Sequence, residues 1–212
     1  MIFVVGPVLQ ELGSVLLPMA GFAFATSASP GPVNIVSAMS GARFGVARTV
    51  PYVLGATLGF IAILLLVGIG LGTFVTSHPW LAKLLAVAGA SYMLYLASRI
   101  ARASTSRMFD DDAAVTPKLM AGVIAQVMNP KAWIVSLSAI SIYVATSRDY
   151  ATALAALCLI FFVICALSIG CWSLLGAAFS RHPGAIRGFN LAMAALLALS
   201  IVFFLQDILL PA

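Results

Sequence analysis

The chain has 212 residues, of which 63% are hydrophobic and 8% charged, and its formal net charge is +5. Soluble domains carry about 25% charged residues, so this composition excludes a soluble domain and predicts an integral membrane protein whose partner is the lipid bilayer. The basic residues stand singly at the ends of apolar segments, where they indicate topology. No nucleic-acid partner is therefore expected.

Six apolar stretches approach or exceed the length of about 20 residues that crosses a bilayer. Their approximate bounds are residues 12–42, 49–76, 79–99, 119–146, 150–180 and 186–208. No basic residue precedes Arg43, so the first stretch lacks the charged start of a removable signal peptide and is expected to remain a span. Residues 1–212 then form one transmembrane domain, with a first half (1–100), a polar cytoplasmic connection (101–118) and a second half (119–212).

Two of the six stretches are interrupted near their middle. Ser29-Pro30-Gly31-Pro32 lies in the first and Asn129-Pro130-Lys131 in the fourth. Proline lacks the amide proton that a helix interior needs and clashes one turn back, so each cluster predicts a helix broken into two halves. Breaks at corresponding positions of two half-chains are typical of the central binding site of a transporter.

The distribution of basic residues predicts the orientation. Eight of them face the cytoplasm if the N-terminus is outside, and only Lys83 and Arg148 lie on the outer side. The positive-inside rule then places both termini outside the cytoplasm. Because each half has three spans, the halves enter the membrane in opposite directions, and the fold class is all-α with a 3+3 inverted repeat. Both breaks lie about 12 residues from the cytoplasmic edge, roughly 18 Å deep.

The two breaks offer a site for a zwitterion. The half-helices that begin near Gly31 and at Pro130 present free amides and positive dipole ends, which suit a carboxylate, and Asn129 is the expected N-cap. Lys131 adds a full charge, and carbonyls near Ala28 and Met128 are candidate acceptors for an ammonium group. The predicted substrate-binding residues are Ser29, Pro30, Gly31, Pro32, Asn34, Gln126, Asn129, Pro130 and Lys131.

Other chemistries find little support in the sequence. Cys158, Cys165 and Cys171 lie in one apolar segment without a CxxC pair and are expected to pack like small apolar residues. No metal site, cofactor or enzymatic nucleophile is predicted. A transmembrane thiol-electron carrier would need cysteines beside the breaks, and a non-transporting scaffold would need no aligned breaks. Asp207 and Glu11, near outer span ends, are the candidate proton-coupling residues, with the substrate's own ionisable groups as the alternative.

Several motifs stand together in this sequence: Ser29-Pro30-Gly31-Pro32, Asn34, Gly41, Arg43, Gly45, Pro51, Gly55, Gly59 and Asn129-Pro130-Lys131-Ala132-Trp133. Their combination resembles the LysE/RhtB family of amino-acid exporters. Unlike many members, the chain has no proline shortly after Trp133. The resemblance implies a secondary transporter in the bacterial cytoplasmic membrane that exports small amino acids or their derivatives, driven by the proton gradient.

The resemblance also bears on the substrate. Residues 88–92 and Cys171-Trp172 look like the branch that exports cysteine and O-acetylserine. No acidic residue is predicted at the level of the breaks to hold a cationic side chain. A neutral substrate such as cysteine, O-acetylserine, homoserine or threonine is therefore favoured over lysine. The packing glycines leave a homo-oligomer open.

Overall fold

A computed structural model describes residues 2–71 and 118–179, together with single positions between 77 and 91 and short pieces between 188 and 199. Side chains are described from residue 15 to 70, from 118 to 179 and at those isolated positions and short pieces. Every regular element in these parts is helical. The predicted spans at 79–99 and 186–208 and the connection at 101–118 lie largely or wholly outside the described residues.

The first predicted span is two helices. α1 is Ile2–Ala28 and α2 is Pro32–Phe44, so the chain is non-helical through the predicted break. α1 begins about ten residues earlier than the sequence predicted, because the apolar residues before position 12 continue the same helix. Pro32 is the first residue of α2, where its missing amide proton is not needed.

α3 follows α2 after one residue. It is Val46–Leu66 and ends in a π-helical turn, Val67–Leu71. Gly45 has φ 80° and Gly70 has φ 109°, values that residues other than glycine rarely adopt. The first glycine makes the tight turn between α2 and α3, and the second ends the helical segment.

The fourth predicted span is also two helices. α4 is Leu119–Val127 and α5 is Pro130–Ala139, and the two are bent by 70° at the break. A π-helical turn, Ile140–Val144, extends α5. The absence of a proline after Trp133 is consistent with this uninterrupted helical path to Val144.

α6 is Tyr150–Phe179, one helix of 30 residues that matches the fifth predicted span. Asp149 caps its first turn: Oδ1 accepts from the Thr152 amide at 3.1 Å and Oδ2 from the Thr152 hydroxyl at 2.6 Å. Val46–Gly70 and α6 are long and apolar enough to cross a membrane, and the bent pair of α4 and α5 passes the same test as one unit. The described part of the chain is thus all-helical, and the protein is a polytopic membrane protein.

Glycines set the two closest helix crossings. A Cβ at Gly55 of α3 would overlap the Leu119 carbonyl of α4, and one at Gly176 of α6 would overlap the Ala38 carbonyl of α2. Small residues allow this approach in membranes, where helices gain stability from close packing. The crossings bring α2, α3, α4 and α6 around the two breaks.

Candidate functional site

A partly open cavity lies between the two breaks, and the empty space within it and at its mouth together amounts to about 390 Å³. Five of the predicted site residues line it: Gly31, Asn34, Gln126, Asn129 and Lys131. Ser29, Pro30, Pro32 and Pro130, by contrast, are not among its lining residues. They shape the backbone at the breaks, and Ser29 also holds the side chain of Lys131.

The first break is held by one buried amide. Asn34, in the first turn of α2, donates from Nδ2 to the carbonyl oxygens of Ser27 at 2.8 Å and Ser29 at 3.0 Å. These bonds satisfy carbonyls that the end of α1 leaves without helical partners. Gly31 is extended at φ −166°, a conformation open to any residue. What its missing side chain changes is therefore the space next to Lys131.

The second break has the predicted cap. Asn129 accepts at Oδ1 from the Lys131 amide at 3.2 Å and donates from Nδ2 to Gln126 Oε1 at 3.2 Å. The Trp133 indole donates to the Val127 carbonyl at 2.9 Å. Asn129 therefore connects the end of α4 to the start of α5, and Pro130 occupies the first position of α5 as predicted.

Lys131 joins the two breaks directly. Its Nζ donates to the Ser29 carbonyl at 3.0 Å and to Ser29 Oγ at 2.7 Å. The ammonium thus lies at the C-terminal, negative end of α1, where a cation is stabilised by the helix dipole. A Cβ at Gly31 would lie 3.6 Å from Lys131 Cδ and 3.7 Å from Nζ. Among the described residues that line the cavity, Lys131 is the one with a charged side chain.

The hydrogen-bond partner of the Ala28 carbonyl differs from the expectation. The sequence indicated this carbonyl as an acceptor for a substrate ammonium. In the structure the Trp172 indole donates to the Ala28 carbonyl at 3.1 Å, because α6 passes beside the end of α1. The tryptophan therefore takes part in holding the first break.

The sequence missed the contribution of α6. Cys165 and Ile169, one turn apart, line the cavity with Phe60 of α3 and Val135 of α5. Cys165 had been expected only to pack, and it is buried as expected. The spacing of four residues puts both α6 side chains on one face, but no sequence signal shows that this face meets the breaks.

Four aromatic rings pack one against the next beside the cavity. Phe22 lies edge-on to Tyr143 at 5.9 Å and to Phe161 at 6.4 Å, and Phe161 lies 4.9 Å from Phe60. Tyr143 also donates to the Pro18 carbonyl at 3.2 Å. We call Phe22, Phe60, Tyr143 and Phe161 the aromatic layer. Its members on α1 and α6 precede cavity residues by one turn, so the layer lies on the side where α1 and α6 begin.

The remaining predicted residues lie beyond the described side chains. Asp207 is outside the described residues, and so is the side chain of Glu11. Within the described ranges no three His, Cys, Asp or Glu side chains form a group that would hold a metal ion. All three cysteines are free, and only Cys165 borders the cavity.

Comparison with known proteins identifies the family of this chain. The model of the LysE type translocator family matches residues 24–210. Cysteine/O-acetylserine efflux proteins of Salmonella choleraesuis (strain SC-B67), Salmonella typhimurium (strain LT2) and Escherichia coli (strain K12) are each 28% identical over 180 residues, 84% of this chain and 89% of theirs. No solved structure matches. The chain therefore belongs to the LysE type translocator family and is a membrane transporter, not an enzyme.

Proposed function

We propose that this protein exports small neutral amino acids or their derivatives from the bacterial cytoplasm, by alternating access coupled to the proton gradient. The observation that carries the proposal is the cavity at which the two helix breaks meet, joined by Lys131 and Ser29. The family match and the efflux function named for the relatives support export.

The cavity suits both ends of an amino acid. An ammonium group of lysine has three donors, and Ser29 accepts two of them, leaving one without a partner among the described residues. That donor and the amides at the starts of α2 and α5 would bind the carboxylate. The side-chain oxygens of Asn34 and Gln126 would accept from the substrate ammonium. The nine residues predicted from the sequence remain the proposed site, with some acting through backbone shape.

The substrate is proposed to be neutral. The described walls carry no acidic side chain, so the side chain of lysine or arginine would lose hydration without gaining a counter-charge. Cysteine and O-acetylserine, named for the relatives, fit this requirement. Homoserine and threonine have the same character and are the alternatives within the class.

The aromatic layer supports alternating access. Phe161 is 0% and Phe60 5% exposed, so this side of the cavity is closed by tightly packed rings. A substrate that crosses the protein must pass a barrier of this kind, and rocking of one half against the other would open it. In the proposed orientation both termini lie outside the cytoplasm and the halves form a 3+3 inverted repeat, so the aromatic layer faces outward.

The proposed coupling residues are Asp207 and Glu11, with protons carried on the substrate as the alternative. Acidic residues in or near spans often act as proton relays. Replacing each acid by its amide in an efflux assay would separate these routes, because only a relay residue would uncouple transport from the proton gradient.

Efflux from loaded cells tests the proposed function. Cells that express the protein are loaded with labelled cysteine, homoserine, threonine, leucine or lysine, and efflux is followed with and without an uncoupler. We expect faster efflux of at least one small neutral amino acid, lost when the gradient collapses. If the protein were a non-transporting scaffold, efflux of every substrate would equal that of loaded cells that do not express it. Efflux that survives the uncoupler would refute proton coupling alone.

A further inference from the structure

We propose that the substrate's side chain rests against a wall formed by Phe60, Val135, Cys165 and Ile169, and that Ile169 and Cys165 set the largest side chain exported. These four residues are called the side-chain wall below. The inference rests on the proposed function and adds to it the part of the site that selects among neutral amino acids.

Three of the four wall residues come from helices other than the broken ones, and the fourth, Val135, lies on α5 one turn beyond Lys131. Lys131, Asn34 and Asn129 belong to the breaks, which bind what all amino acids share. Phe60 belongs to α3, while Cys165 and Ile169 belong to the unbroken α6. Because the common head group is held at the breaks, differences between substrates fall on the other residues that line the cavity.

The side-chain wall is apolar and tightly held. Its four residues are 2–8% exposed. Phe60 packs on Phe161 at 4.9 Å between ring centroids, and the Ile169 carbonyl accepts from Ser37 Oγ of α2 at 2.9 Å. Close-packed interiors yield little to added volume. A side chain too large for the space would therefore be excluded instead of accommodated.

Cys165 gives the wall one polarisable group. The hydroxyls of Ser27 and Thr57 lie beside its thiol, so a small hydroxyl, thiol or ester group of a substrate would meet weakly polar neighbours there. The rest of the wall is hydrocarbon. This character fits a short side chain with one uncharged polar atom better than a long aliphatic or a charged one.

Two pairs of substitutions test the inference. Ile169→Ala enlarges the space beside the wall. Leu159→Ala is its control, since Leu159 lies on the same helix but is 65% exposed. Cys165→Leu reduces the space, and Cys171→Leu repeats that substitution at an exposed position of α6. Each purified full-length variant is reconstituted in proteoliposomes, and the efflux of labelled leucine is compared with that of a small probe. The small probe is whichever of cysteine, homoserine and threonine the wild type exports fastest.

We expect Ile169→Ala to raise the ratio of leucine efflux to small-probe efflux at least about 10-fold, the lower end of the discrimination that one methylene group supplies in an apolar pocket. Cys165→Leu should lower small-probe efflux at least as much, and both controls should match the wild type. Size-exclusion profiles verify folding. If Ile169→Ala does not fold, the comparison of Cys165→Leu with Cys171→Leu decides alone.

An unchanged ratio in folded Ile169→Ala would overturn the side-chain wall, and so would equal efflux by Cys165→Leu and Cys171→Leu. In both cases wild-type efflux shows that the proposed function still stands. A wild-type protein that moves no neutral amino acid would refute the proposed function, and the side-chain wall with it.

Discussion

Replacing Lys131 by methionine removes the charge that joins the two breaks while nearly preserving side-chain volume. In the structure the ammonium donates to Ser29 at 3.0 Å and 2.7 Å. Its third donor is the one proposed to meet the substrate carboxylate. Lys131→Met therefore removes both the link between the breaks and one charge-assisted hydrogen bond to the substrate.

The expected loss follows from that single bond. A hydrogen bond to a charged group contributes about 1.5–3 kcal/mol, and each 1.4 kcal/mol corresponds to a tenfold change in affinity. The apparent affinity for the substrate should thus fall about 10- to 100-fold. Ser29→Ala retains the ammonium and removes only one of its acceptors, so we expect a smaller loss.

The assay measures efflux from proteoliposomes as a function of internal substrate concentration, for equal amounts of folded protein. Lys118→Met is the matched control, because Lys118 is exposed immediately before α4. It should behave like the wild type. If Lys131→Met exports with unchanged apparent affinity, the carboxylate binds elsewhere and the reasoning fails.

Three further predictions concern space, packing and charge. Gly31→Ala should retain efflux, since its Cβ would make ordinary contacts at 3.6–3.7 Å, whereas Gly31→Leu should lose it; equal efflux by both would contradict this. Gly176→Ala should lower the free energy of unfolding by about 1–3 kcal/mol, seen as an unfolding temperature lower by about 2–12 °C, while Gly170→Ala, with open space around it, should not lower it. A threonine hydroxyl in the first turn of α6 holds the pKa of Asp149 below its ordinary value of 3.8, so the carboxylate stabilises the fold at pH 7 and this contribution is lost as pH falls through the lowered pKa. Asp149→Ala should therefore unfold at a lower temperature than the wild type at pH 7, and the difference should begin to shrink as pH falls past 3.8 and be lost once pH is below the lowered pKa; a constant difference would refute the cap.

The sequence predicted local structure at the breaks well. Proline determines where α1 and α4 end, and Asn129 is the cap of α5 that the sequence indicates. It was less accurate at the start of α1, where apolar residues continue the helix. The family resemblance was confirmed by the match over residues 24–210, whereas the inverted repeat and the orientation stay predictions.

The sequence by itself determined which backbone groups are left free, because a proline or a capping asparagine acts on neighbours within one helical turn. Only the tertiary structure decided what those groups meet. Lys131 bonds to Ser29 across 102 positions, and Trp172 bonds to Ala28 across 144. Such contacts depend on how closely whole helices approach, which Gly176 and Ala38 permit between α6 and α2. The same packing of α6 places Cys165 at the cavity. Because this packing depends on a whole helix face, no single residue in the sequence indicates it.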